Sequence, residues 1–279
     1  MFLTVSLRRR GALAAPALLL CLAAALAALS RLPAPDRCTN TELRAAALLF
    51  DHAGGGAALR DAAAGDEKVA YLTFDDGPSK TTPQVLDTLA EYGVRATFFV
   101  CAADNNKKYL PLLARTVREG HQVALHSSSH SYRRIYASTD AFWRDIDALK
   151  EKIRPYVGDA PLDCLRFPGG STNTVSHKYG GSDIMKQLKE QAAEKGYRWF
   201  DWNVCAYDAV GGHPTAAAVL HHVIREAGDR RRIIVLMHDT GVTQSTAEAL
   251  PEILRALAAQ GYTFDVVRNY PRAAPPRTN

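Results

Sequence analysis

From residue 69 onward, short apolar runs alternate with longer segments in which apolar residues recur every three or four positions. The runs at 69–74, 97–100, 122–125, 164–167, 197–202, 233–237 and 262–267 read as strands. The segments at 83–92, 109–119, 140–156, 183–195, 215–227 and 246–260 read as amphipathic helices. Four of these helical patterns run into a glycine, at Tyr92-Gly93, Glu119-Gly120, Lys195-Gly196 and Gln260-Gly261, where a left-handed residue ends a helix without steric strain. About seven β/α units in about 200 residues imply an α/β fold with a parallel sheet, closed as a barrel. In such folds the site forms where strands end and the following loops begin.

Ahead of this region, residues 11–30 carry no charge and are dominated by Ala and Leu, with Arg8, Arg9 and Arg10 before them and Arg31 after. At about 1.5 Å per residue, such a helix spans a hydrocarbon core of roughly 30 Å. Arginines in front of it keep its N-terminus cytoplasmic, so the expectation is a single-pass membrane helix with everything downstream outside the cytoplasm. The alternative is a cleaved signal segment using Ala25-Leu26-Ala27, which leaves a secreted protein. The expected organisation is residues 1–35 as tip plus anchor or signal, 36–67 as a stem or N-terminal extension, 68–269 as one barrel domain and 270–279 as a tail.

Composition changes this picture in one respect. The chain has 279 residues, 47% hydrophobic and 23% charged, which excludes a disordered or fibrous chain. Its formal charge of +5 hints at an acidic partner, but four of its 34 Lys and Arg lie in the first 35 positions, leaving 30 basic residues against 29 acidic. The excess therefore marks membrane topology, and no nucleic-acid partner is expected. Arg230-Arg231-Arg232 precedes an apolar run and reads as a solvated turn. Cys38, Cys101, Cys164 and Cys205 allow three disulfide pairings in an oxidising compartment, with buried free thiols as the alternative. None of these spacings is a CxxC metal or redox motif.

Ionisable residues gather where the runs end. Asp75 and Asp76 follow the first run, His126 the third and His238 the sixth, while Arg166 lies inside the fourth and Asp208 a few residues past the fifth. Thr73-Phe74-Asp75-Asp76-Gly77-Pro78 sets two carboxylates at a strand end before a Gly-Pro turn, so that one is free to bind a cation and the other to handle protons. His126-Ser-Ser-Ser-His130 spaces two imidazoles four apart, which one helical turn would bring to one face. With Asp76 they make a two-His, one-carboxylate set with open positions, suited to zinc or to cobalt, manganese or nickel. His238 has an ordinary pKa suited to donating a proton to a leaving group, or else simply satisfies a loop. Arg166 either pairs with a catalytic carboxylate or forms a structural ion pair. His52, His121, His177, His213, His221 and His222 fall outside these segments and read as solvated or structural.

Five stretches, 73–79 (TFDDGPS), 126–130 (HSSSH), 166–170 (RFPGG), 202–208 (WNVCAYD) and 236–239 (LMHD), resemble in order and spacing the five motifs of the polysaccharide deacetylase family, carbohydrate esterase family 4. The resemblance covers about residues 69–268. It implies a distorted (β/α) barrel and a metal-dependent hydrolase that releases acetate from an acetylated glycan, most naturally the N-acetylglucosamine of peptidoglycan, with chitin oligomers and O-acetylated xylan as alternatives. It also implies that Asp76, His126 and His130 hold the metal, that Asp75 is the general base oriented by Arg166, and that His238 is the general acid tuned by Asp208. The Pro168-Gly169 turn would meet the substrate, with the Gly169 N–H stabilising the oxyanion. Two departures stand out: the family often has Tyr where this chain has Gly169, and its fourth motif often reads Asp-x-x-Asp-Trp where this chain has Cys205, Asp208 and Ala209. Asp201 is the alternative partner for His238. A catalytically silent glycan-binding protein and an amidase for a small non-glycan substrate are readings of other classes. The expected state is a monomer.

Overall fold

The computed structural model describes residues 67–271. The expected anchor at 11–30, nearly all of the stem, Cys38 and most of the tail lie outside the described residues. Among those described, no helix is long and apolar enough to cross a membrane.

Eight strands form one parallel sheet: β1 (Lys68–Asp75), β2 (Thr97–Cys101), β3 (Gln122–Ser127), β4 (Cys164–Leu165), β5 (Arg198–Trp199), β6 (Val204–Cys205), β7 (Arg232–His238) and β8 (Tyr262–Phe264). Seven of them follow the order β5-β4-β3-β2-β1-β7-β6, so β5 and β6 are the outer edges of an incomplete barrel. At its centre, β1 pairs with β7 from Val69 to Asp75. Its upper half also pairs with β2 at Thr73–Asp75 and its lower half with β8 at Lys68–Ala70. Helices α1 (Thr82–Tyr92), α2 (Leu112–Arg118), α3 (Tyr132–Ile135), α4 (Thr139–Val157), α5 (His177–Gly180), α6 (Ile184–Glu194), α7 (Ala216–Ala227) and α8 (Gln244–Ala259) lie between the strands in the chain. Gly93, at φ 63°, ends α1 in the left-handed conformation its sequence suggests, and Ser138 caps α4 by accepting from the Ala141 amide.

Alternation along the strands separates two cores. Leu72, Phe74, Phe98, Val100, Leu125, Val235 and Met237 pack outward with the apolar faces of the helices. Tyr71, Phe99, Ala124, Cys164, Phe200 and Ile234 pack inward as a smaller cluster filling the barrel. Two or four residues further along the same inward faces stand Asp75, His126, Arg166 and His238. The barrel is thus oily at one end and ionisable at the other, by the strand period alone.

Three runs are shorter than the pattern suggests. The ladder at 164–167 stops after Leu165, because Pro168 has no N–H to give and Gly169 and Gly170 turn away at φ 80° and 86°. The run at 197–202 pairs only over Arg198–Trp199, and Val204–Cys205 adds a strand that the pattern does not predict. The last run leaves the sheet after Phe264. The chain then crosses beneath the strands, the Val267 and Arg268 amides donating to Thr97 Oγ1 and Gln122 Oε1. Val267 enters the inner cluster and closes it from below. Cys101 and Cys164 are buried free thiols and Cys205 a half-buried one, so no disulfide joins these three.

Candidate active site

Asp75 is the last residue of β1 and only 4% exposed. In a continuing strand Asp76 would face the opposite way, but its backbone is left-handed at φ 70°. Both carboxylates consequently approach one imidazole: Asp76 Oδ1 lies 3.3 Å and Asp75 Oδ2 3.9 Å from His126 Nε2. A non-glycine residue keeps such a conformation only when its surroundings enforce it. Here the Asp76 amide donates to Phe99 O and the Cys101 amide to Gly77 O, while Asn106 Nδ2 donates to the carbonyls of both Asp76 and Pro78. The Cys101 thiol donates to Asp76 Oδ1 at 3.6 Å. Gly77 has a separate constraint, since a Cβ there would fall 2.1 Å from Asp239 Oδ1. Burial pushes the Asp239 carboxyl up to about 7, although its contact with Thr82 Oγ1 opposes the shift.

His126 and His130 meet, but without the helical turn that their spacing suggests. His126 is near the end of β3, and His130 stands in a loop at φ 49°. Ser127 Oγ accepts from the amides of Ser129 and His130 and itself donates to Asp145 Oδ2, which also accepts from the Ser128 amide. This serine-centred turn folds the chain back so that His130 Nε2 sits 3.2 Å from Asp76 Oδ1. The ligand atoms of Asp76, His126 and His130 all lie within 4.8 Å of one another. His126 Nδ1 donates to the Arg166 carbonyl at 2.7 Å, which leaves Nε2 as the nitrogen facing the carboxylates. Burial lowers the His130 pKa; at His126 it is outweighed by the charges of Asp75 and Asp76, which hold that pKa up. Two nitrogens and a carboxylate oxygen converging in this way fit a divalent first-row cation.

Arg166 is fully buried. Its guanidinium donates from Nη1 to Asp75 Oδ1 and Thr73 Oγ1, from Nε to Phe200 O and from Nη2 to Asp201 O, and it lies 4.2 Å from the Phe99 ring centroid. A buried charge so well supplied fixes the Asp75 carboxylate in one orientation; removing one member of such a pair costs about 3–5 kcal/mol.

On the other side stands His238, the last residue of β7. Its Nδ1 lies 2.9 Å from Asp208 Oδ1, its amide donates to Asp208 Oδ2, and Thr246 Oγ1 donates to that same oxygen. Burial alone would lower the His238 pKa, but the hydrogen bond and charge of Asp208, with Asp75 and Asp76 nearby, raise it to about 9. Asp201 is occupied elsewhere, accepting from the amide and hydroxyl of Ser171. Of the two candidate partners, the fold brings Asp208 to His238 and gives Asp201 to the loop after Arg166.

That loop carries Pro168 and Gly169. The Pro168 carbonyl accepts from Tyr136 Oη at 2.7 Å, and the Gly169 N–H has no acceptor among the described residues. A Cβ at Gly169 would lie 2.6 Å from Tyr132 Oη, so the space beside this glycine belongs to an aromatic side chain at the start of α3. Tyr132 stands edge-on to the His130 ring, with centroids 5.7 Å apart. Tyr132, Asn106, Asp145 and Thr246 all serve the site, yet none stood out in the sequence. Each acts through a partner distant in the chain, and no local pattern marks it.

Comparison with known proteins agrees with this geometry. The family described as Polysaccharide deacetylase matches residues 62–189. Two proteins of Bacillus cereus named peptidoglycan-N-acetylglucosamine deacetylase are 31% and 34% identical over 207 residues, 72% of this chain and 69% and 87% of theirs. Among solved structures, the catalytic domain of peptidoglycan N-acetylglucosamine deacetylase from Eubacterium rectale superposes with a TM-score of 0.70 at 36% identity, covering 78% of this chain and 96% of that one. A carbohydrate esterase family 4 enzyme from Streptococcus mutans matches with a TM-score of 0.62 at 32% identity, over 72% of this chain and 86% of that one.

Proposed function

Because this chain belongs to the polysaccharide deacetylase family, we propose that it hydrolyses the acetamide of N-acetylglucosamine residues in peptidoglycan, releasing acetate and leaving a free amine. One observation carries the assignment of roles: three metal-ligand atoms lie together between a carboxylate held by a buried arginine and a histidine held by a buried aspartate.

Asp76, His126 and His130 would hold the divalent metal, zinc being well suited to the set. When bound, such a cation supplies Lewis acidity toward the amide carbonyl and toward water. Asp75, oriented by Arg166, takes a proton from the attacking water. As the water oxygen bonds to the carbonyl carbon, negative charge gathers on the former carbonyl oxygen, and the unpartnered Gly169 N–H is the backbone donor for it. His238 is protonated at neutral pH and gives its proton to the departing nitrogen as the C–N bond breaks. Asp208 keeps the proton on the ring until that moment. The charge-free stretch at 11–30 behind three arginines supports a chain tethered outside the cytoplasm, or secreted after cleavage, where peptidoglycan is within reach.

The test is acetate release from purified peptidoglycan by the full chain. One acetate should appear per new amine, activity should vanish with a chelator and return with zinc, and Asp75→Asn should lose about a thousandfold or more in kcat while still binding zinc. Peptidoglycan that keeps its acetyl groups in the presence of zinc-loaded protein would overturn the reading.

A further inference from the structure

A groove of ≈ 800 Å³ opens between the loops that follow β1, β2 and β7, and two of those strands, β1 and β7, end at Asp75, just before Asp76, and at His238. Lys80, Lys107 and Lys108 line it with Tyr109, and Asp104 is the only acidic residue in its wall. Lys80 and Lys107 are exposed, and among the described residues neither side chain makes a hydrogen bond or an ion pair. The Lys108 ammonium lies 4.9 Å from the centroid of the Tyr109 ring. Beyond the first 35 positions the chain is almost neutral, so three lysines facing one acid are a local concentration of charge.

The groove is tied mechanically to the reacting groups. Ser79, in its wall, donates from its hydroxyl to the carbonyl of Asp239, the neighbour of His238. Asn106, directly before Lys107, is 1% exposed and bonds the carbonyls of Asp76 and Pro78. A ligand seated on these lysines is therefore held close to the site, because Lys80 shares the loop after β1 with Asp76 and Asn106 ties the loop of Lys107 and Lys108 to it.

We propose that this groove binds the carboxylates that accompany the sugar chain, those of the stem peptides of peptidoglycan, and so favours an anionic glycan over a neutral one. The proposal rests on the peptidoglycan reading above. Ammonium groups without protein partners, next to an aromatic ring, attract a flexible carboxylate without demanding one fixed geometry. A neutral N-acetylglucosamine polymer presents nothing for them to hold.

The test compares binding, by calorimetry on the full zinc-loaded chain, of a peptidoglycan fragment with free carboxylates and of the same fragment with every carboxyl amidated. The wild-type chain should bind the carboxylate form about tenfold more tightly at low salt, and the preference should shrink as salt rises. The triple variant K80Q/K107Q/K108Q, with the same thermal midpoint, should bind both forms alike. No preference in the wild-type chain, or a preference that survives in the triple variant, overturns the proposal. Acetate release from a neutral N-acetylglucosamine oligomer separates the two claims. A chain that deacetylates without charge preference keeps the activity and loses the groove; one that prefers the carboxylate form but releases no acetate keeps the groove and loses the activity.

Discussion

His238 illustrates how much of the site is decided by one neighbour. An ordinary histidine titrates near pH 6.5 and burial favours its neutral form, yet Asp208, with smaller contributions from Asp75 and Asp76, raises it to about 9. A general acid must carry its proton, so activity should persist through neutral pH and fall as pH rises past about 9. In Asp208→Asn the charge that raises the pKa is gone, and the alkaline limb of kcat/KM should move to lower pH by about one unit or more. A pH–rate profile reads this directly, and a limb that stays in place would mean that Asp208 does not set the proton affinity of His238. The family resemblance singled out this aspartate over Asp201, but only the structure pairs it with the ring, 30 residues away in the chain. Gly169 is the converse case. The family resemblance leaves it without the tyrosine often found there, and the fold sets the Tyr132 hydroxyl in the space that a Cβ would take.

At the scale of elements, α4 has a part in the site that its amphipathic pattern conceals. Asp145 reads as one polar position on a solvated helix face, but its carboxylate accepts from Ser127 Oγ and the Ser128 amide and so shapes the turn that brings His130 to Asp76. Supporting partners of this kind are worth about 10–100-fold in metal affinity. Asp145→Ala should therefore weaken zinc binding by about that factor, measured by competition with a chromophoric chelator, while α4 stays helical by circular dichroism. Unchanged affinity would show that the loop holds its shape without the helix. The strands themselves were well marked in the sequence where they are long. β1 and β7 come from continuous apolar runs; β6, two residues long, is defined only by its pairing with β7 and had no signal of its own.

On the scale of the whole molecule, the metal set is a clasp between two loops, with Asp76 after β1 and His130 beyond β3, held against His126 at the end of β3 itself. A cation bound only by the folded chain adds stability by mass action, about 2.7 kcal/mol at a hundredfold excess over Kd. For a domain of this size that corresponds to a rise of about 5–10 °C in Tm, which differential scanning calorimetry should show with zinc and lose with a chelator. No shift would mean that the three ligands do not form a working site. Two things are written along the chain: the strand period, which sorts residues between the two cores, and the ionisable residues where the strands end, which name the chemistry. Both are local, set by neighbours along the chain and by the alternation of side chains in a strand. The tertiary structure decided which partners those residues have: the left-handed turn that swings Asp76 toward His126, Asn106 and Asp145 as supports, Asp208 rather than Asp201 beside His238, and three lysines gathered into one groove. These depend on β1 lying between β2 and β7 and on the barrel curving, which brings together side chains far apart in the chain, and no local window of sequence contains that proximity.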